Sequence, residues 1–173
     1  EDLLFATLDP TMRGVTLESG RKIILSDTVG FVSDLPTDLV AAFRATLEEV
    51  LSADLVIHVR DISHADSEAQ KRDVFHVLTE LGLSPKTDDN VIEVLNKTDL
   101  LGADDKARIE TSAEHHDDTV ALSAITGDGM DGFTAAIDGF FAAKRRIYDY
   151  TLAASEGANL AWLYAHGEVL ERT

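Results

Sequence analysis

The four residues Asn96-Lys97-Thr98-Asp99, standing directly after the apolar run 91–95, are the segment whose types and spacing speak most directly of chemistry. In the nucleotide-binding pattern N-K-x-D, the aspartate carboxylate accepts two hydrogen bonds from guanine, one from N1–H and one from the exocyclic amino group. Adenine does not offer that pair of donors. A base without them leaves a partly buried carboxylate unsatisfied, at a cost of about 1–3 kcal/mol, and this difference selects guanine. Lys97 is expected to lay its aliphatic stem along the base, and Asn96 to tie the loop to the phosphate side. A bare Asx-rich loop after a strand is the alternative reading of the same four residues.

Three weaker segments gain meaning from their order. Asp27-Thr28-Val29-Gly30 closes the run 22–27 in a D-x-x-G pattern, with Asp27 reaching Mg²⁺ through water and the Gly30 N–H sensing a γ-phosphate. Asp and Gly flank many strand ends, so the pattern alone says little. Ser123-Ala124 follows the run 119–122, where a backbone N–H can donate to guanine O6 and exclude an amino group. Thr7, in Phe5-Ala6-Thr7-Leu8, is either a plain loop threonine or a switch residue whose hydroxyl ligates Mg²⁺ when a triphosphate is present. A threonine loop, then strands ending in D-x-x-G, N-K-x-D and S-A, arrive at intervals that each hold one α/β unit. Independent accidents do not line up in this way.

The elements that must position these residues are legible from pattern. The run 22–27 is short, apolar and β-branched, and 14–17 reads as its hairpin partner across a turn in which Gly20 is free to take positive φ. Leu39, Phe43, Leu47, Val50 and Leu51 recur at helical spacing after the turn and cap at 35–38. The run 54–60 reads as a strand covered on both faces, followed by a helix over 67–81 closing at Gly82. A strand over 90–95, a short helix near 104–111, a strand over 119–122 and a helix over 130–143 complete the alternation, which predicts a mostly parallel sheet in an α/β layer structure. Beyond Arg146 the pattern changes to a possible strand over 148–152 and a small helix containing Leu160, Trp162 and Leu163, with Trp162 expected to pack. Residues 1–146 thus read as one domain and 147–173 as the start of a C-terminal subdomain.

Bulk composition excludes several classes. Of 173 residues, 45% are hydrophobic and 27% charged, ordinary for a globular chain and unlike a disordered one. No apolar run approaches the roughly 18 residues of a membrane span, and Glu1-Asp2-Leu3 does not open a signal peptide, so the chain is expected to be cytoplasmic. With no cysteine, thiolate metal sites and cysteine nucleophiles are excluded. The net charge of −17 opposes broad nucleic-acid binding, and the basic run Lys144-Arg145-Arg146 reads as the positive end of a helix. His58, His64, His76, His115, His116 and His166 show no metal-ligand spacing.

Taken together, Phe5-Ala6-Thr7-Leu8-Asp9-Pro10-Thr11, the segment Asp27-Thr28-Val29-Gly30-Phe31, the helix Ala42-Phe43-Arg44-Ala45-Thr46-Leu47-Glu48-Glu49-Val50 and the loop Ser123-Ala124-Ile125-Thr126-Gly127-Asp128-Gly129 resemble the HflX family of GTPases over nearly the whole chain. The resemblance implies a three-layer Ras-like P-loop GTPase fold, Mg²⁺-dependent hydrolysis of GTP to GDP, binding to the large ribosomal subunit, and a role in ribosome dissociation or rescue. Ras-type enzymes place a glutamine after the D-x-x-G glycine to orient the attacking water, and Phe31 cannot do this. Slow hydrolysis stimulated by the ribosome is the family's implication; packing of Phe31 against the following helix is the alternative.

One departure is large. The phosphate-loop pattern G-x-x-x-x-G-K-[ST] does not occur in the chain. The resemblance places it, with the strand before it, upstream of Glu1, so the chain reads as a GTPase-domain fragment truncated at its N-terminus and expected to be inactive alone. A non-catalytic ribosome-interaction module is the rival class, and another Ras-like translational or tRNA-modification GTPase a third, disfavoured by Phe31 and the F-R-A-T-L-E-E helix. In the Ras-like sheet that the resemblance implies, the strand leading into the phosphate loop lies between 22–27 and 54–60. Its absence splits the sheet, and closure of the gap is expected from upstream residues, strand swapping with a second copy, or rearranged pairing.

Overall fold

The computed structural model describes residues 11–27, 50–80, 82, 90–145, 148–153, 155–167, 169 and 171–172. It divides into two compact units, Glu1–Ala143 and Lys144–Thr173.

In the first unit, strands β1 (Thr11–Thr16) and β2 (Lys22–Asp27) form an antiparallel hairpin, in register from Thr11 opposite Asp27 to Thr16 opposite Lys22. The β1 strand begins earlier than the expected 14–17 and Leu17 belongs to the turn, where its N–H donates to the Arg21 carbonyl at 2.9 Å. Gly20 takes φ of 81° there, as the turn requires. Strands β3 (Val56–Asp61), β4 (Val91–Asn96) and β5 (Thr119–Ala121) form a separate parallel sheet in that order. Helices α1 (Ser67–Glu80) and α2 (Ala103–Glu114) connect them as crossovers, and α3 (Met130–Ala143) follows β5. Of the helix read over 39–51, only 50–51 fall among the described residues, and these are helical together with Ser52.

Alternation along β4 sorts the two faces. Ile92 and Val94 join Leu17, Leu122 and Ile137 in one buried cluster, against which Ile23 of the hairpin and Phe133, Phe140 and Phe141 of α3 pack. The hairpin turn is further fixed to α3 by Ser19 Oγ donating to Asp138 Oδ1 at 2.5 Å. On the opposite face α1 covers the sheet through Val74 and Leu78, packed with Val56 and Phe75. Helix, sheet and helix make three layers. Among the described residues no strand joins β2 to β3, so the hairpin and the parallel sheet stay two sheets, and the expected closure lies outside the described residues.

Among the described residues the second unit holds one helix, α4 (Gly157–His166). The strand expected over 148–152 does not form: this stretch has no ladder partner among the described residues, and Tyr148 and Tyr150 are both exposed. Trp162, expected to pack, is 57% exposed and stacks instead on His166, one turn on, with ring centroids 4.4 Å apart. Among the described residues no helix is long and apolar enough to cross a membrane.

Candidate nucleotide-binding site

The carboxyl ends of β3, β4 and β5 lie side by side, the place where open parallel sheets bind ligands. At the end of β4 the chain turns through Lys97, whose φ of 68° and ψ of 35° make it the one non-glycine residue at positive φ among those described. Such a conformation costs an ordinary side chain about 1–2 kcal/mol. Two contacts offset it. Asn96 Oδ1 accepts the Lys97 N–H at 2.7 Å, and Lys97 Nζ reaches Asp61 Oδ2 at 2.6 Å. The left-handed residue throws Thr98–Leu100 into a short 3₁₀ turn, with Thr98 buried and its N–H donating to the Leu122 carbonyl at 3.3 Å.

The loop after β5 closes on this turn. Asn96 Oδ1 also accepts the Ala124 N–H at 3.0 Å, and Ser123 Oγ donates to Asp99 Oδ1 at 2.5 Å. Ser123 is fully buried; its hydroxyl accepts the Thr126 N–H at 3.2 Å while its own N–H donates to the Asp128 carbonyl at 2.9 Å. Gly127 and Gly129 take φ of 85° and 79°, and a Cβ on Gly129 would stand 2.2 Å from the Ala121 carbonyl oxygen. Only glycine lets the loop pass so close to β5. Lys106 of α2 clamps the loop from outside, Nζ to Asp128 Oδ2 at 3.2 Å, and this contact raises the lysine and lowers the aspartate from their ordinary pKa values.

Sequence reasoning passed over Asp61, the last residue of β3 and the register partner of Asn96. Its Oδ1 accepts both the Ser63 N–H, at 3.0 Å, and the Ser63 hydroxyl, at 2.5 Å, an Asx turn that leaves Oδ2 to Lys97. Burial pushes this carboxyl up, but the bonds from Lys97 and Ser63 outweigh it and hold it below the usual range. The available signal was its position, an acid closing an apolar strand next to the strand that ends in N-K-x-D.

Beneath the site, on the α1 face, lies a partly buried polar network. The Arg60 guanidinium bonds to Glu93, to Glu68 Oε1 at 2.6 Å and to Ser67 Oγ at 3.2 Å, while Lys71 Nζ meets Glu93 Oε2 at 2.5 Å. Burial favours the protonated form of Glu93, yet the Lys71 and Arg60 contacts prevail and hold it below the usual range. His58 opposes Glu93 across the β3–β4 ladder, and its buried Nδ1 has no hydrogen-bond partner among the described residues. Burial lowers its pKa to about 4; Arg60 and Lys71 add to the drop and Glu93 opposes it.

Of the residues singled out in the sequence, Asn96, Lys97, Asp99, Ser123 and Ala124 are brought together. Asn96 binds the loop after β5, and of the two backbone N–H groups of Ser123-Ala124, that of Ala124 is given to Asn96. Asp27 is the exposed last residue of β2, and Thr7 and Gly30, like Phe31, lie outside the described residues. Among the described residues no three acidic or histidine side chains gather into a metal cage. Asp27 alone is a hard oxygen donor, which fits a Mg²⁺ that draws most of its ligands from phosphate and water.

The family model of the 50S ribosome-binding GTPase matches residues 1–97. The chain belongs to this family. It is 42% identical over 171 residues to the GTPase HflX of Magnetococcus marinus, a match covering 99% of the chain and 38% of that relative. To the putative GTP-binding protein 6 of Homo sapiens it is 38% identical over 172 residues, covering 98% of the chain and 32% of the relative. The HflX resemblance read from the motifs therefore stands, and the chain spans well under half the length of these relatives. A crystal structure of a GTP-binding protein from Sulfolobus solfataricus in complex with GDP matches the fold with a TM-score of 0.64 at 24% identity, covering 79% of this chain and 45% of that one. The family's α/β GTPase architecture accounts for the helix, parallel sheet and helix layers of the first unit.

Proposed function

We propose that the chain carries the guanine-reading half of a GTP-hydrolysing site in a protein of the HflX type, acting in the cytoplasm on the large ribosomal subunit. The observation that supports this best is the Asn96–Asp99 turn, with Lys97 in a left-handed conformation and Asn96 and Asp99 braced by Ala124 and Ser123. In this reading Asp99 accepts the guanine N1–H and amino group, Ser123 orients its carboxylate, and the Lys97 stem covers the base. The Ala124 N–H passes from Asn96 Oδ1 to guanine O6 when the nucleotide enters. Thr7, Asp27 and Gly30 serve the far end of the ligand, with Thr7 and Asp27 holding Mg²⁺. That ion supplies charge neutralisation at the phosphates. Residues 147–173 open a second subdomain.

The ribosomal partner is supported by the family's description alone. Phosphoryl transfer rests almost wholly on positioning and charge stabilisation of the phosphates. With no G-x-x-x-x-G-K-[ST] in its sequence, the 173-residue chain alone is expected to turn over no GTP. The test is equilibrium binding of fluorescent GDP and ADP to the full-length protein. GDP is expected to bind at least about 100-fold more tightly, a difference of about 2.7 kcal/mol; equal affinities would remove the guanine assignment.

A further inference from the structure

Two carboxylates stand at the ends of adjacent strands, and each has a different partner. Asp99 receives the Ser123 hydroxyl, whereas Asp61 receives the Lys97 ammonium. A lysine ammonium so near the base-reading turn has a second possible destination in Asp99, where it would compete with the guanine donors. The Asx turn formed with Ser63 fixes the Asp61 carboxylate, so the ion pair has one rigid member. Its other member lies on the strained residue of the turn. Side-chain exposures of 29% for Asp61 and 47% for Lys97 make this a partly exposed pair, whose direct contribution to folding is small. Its consequence lies in orientation, because lysine is among the side chains with most rotamer freedom to lose.

We propose that Asp61 is a positioning residue for guanine recognition, drawing the Lys97 ammonium away from Asp99 and fixing the Lys97 stem where the base will lie. The proposal rests on the assignment of Lys97 and Asp99 to the base made above. It accounts for an acid at the end of β3 that the sequence motifs do not include.

The test is a double-mutant cycle in the full-length protein, read as the dissociation rate of fluorescent GDP. Asp61→Asn is expected to speed release about tenfold, Asp61→Glu to restore it to within about threefold, and Asp61→Asn to add less than about twofold in a Lys97→Met background, since two residues acting through one contact are not additive. Asp61→Ser removes the same charge should the asparagine variant fail to fold. A merely structural role predicts equal effects with and without Lys97, so full additivity would overturn the proposal, as would wild-type release from Asp61→Asn. Should the wild-type protein show no preference for GDP over ADP, the base assignment itself falls. That result is distinct from a selective wild type with an indifferent Asp61.

Discussion

Ser123 Oγ donates to Asp99 Oδ1 at 2.5 Å, joining two segments 24 residues apart in sequence at the ends of neighbouring strands. The hydroxyl both orients the carboxylate and accepts the Thr126 N–H, so its removal takes a partner from each. Ser123→Ala is expected to cost about 1–3 kcal/mol of stability and to weaken GDP binding about tenfold. Denaturant unfolding and GDP titration of the full-length protein check the two effects, and unchanged GDP affinity would separate Ser123 from the site.

Gly129 and Gly20 share nearly the same positive φ, yet differ in what surrounds them. A Cβ at Gly20 meets nothing within 4 Å, whereas at Gly129 it meets the Ala121 carbonyl oxygen at 2.2 Å. Gly20→Ala is therefore expected to cost about 1–2 kcal/mol, the conformational term alone. Gly129→Ala must add displacement of the loop that carries Ser123, and is expected to cost at least about twice as much and to weaken GDP binding as well. Denaturant midpoints of the two variants compare them directly; equal losses would contradict the close approach.

His58 supplies a pH dependence of definite sign. Its pKa is about 4 when folded against an ordinary 6.5, so between these values the unfolded chain binds the extra proton. The His58 contribution is therefore fully present above about pH 6.5 and is lost as pH falls toward 4, by about 3 kcal/mol in all. Glu93, held below the usual carboxylate range, acts in a lower window, its contribution fading only as pH falls through its depressed pKa. Replacing His58 with leucine is expected to flatten the loss of stability between pH 6.5 and 4.5. Parallel curves for wild type and variant, from unfolding at a series of pH values, would show that His58 does not titrate in this manner.

Much of this architecture was legible because the relevant signals are local. The apolar runs at 91–95 and 119–122, the helix over 130–143 and the turn at Gly20 each follow from periodicity or from one residue's conformational freedom. The motif residues Asn96, Lys97, Asp99 and Ser123 were legible for the same reason. Asp61 was not, because its meaning depends on β3 and β4 being neighbours in register, a relation between residues 35 apart in sequence. Local pattern also misread 148–152: alternating Tyr148, Tyr150 and Leu152 suit a strand, but a strand exists only where another backbone pairs with it. Ala124 shows the same limit. Its N–H could be seen as a donor, while its engagement by Asn96 depends on tertiary packing.

The central claim, that Asp99 reads guanine, is tested most directly by exchanging its acceptor for a donor. In the full-length protein Asp99→Asn is expected to weaken GDP binding at least about 100-fold and to bring xanthosine diphosphate, whose carbonyl replaces the amino group, to the tighter affinity, since a site built to hydrogen-bond one edge rejects the mismatched one strongly. Competition of the two nucleotides for the wild-type and variant proteins gives the answer in one titration. GDP affinity unchanged in Asp99→Asn, with no gain for the xanthine nucleotide, would contradict the account.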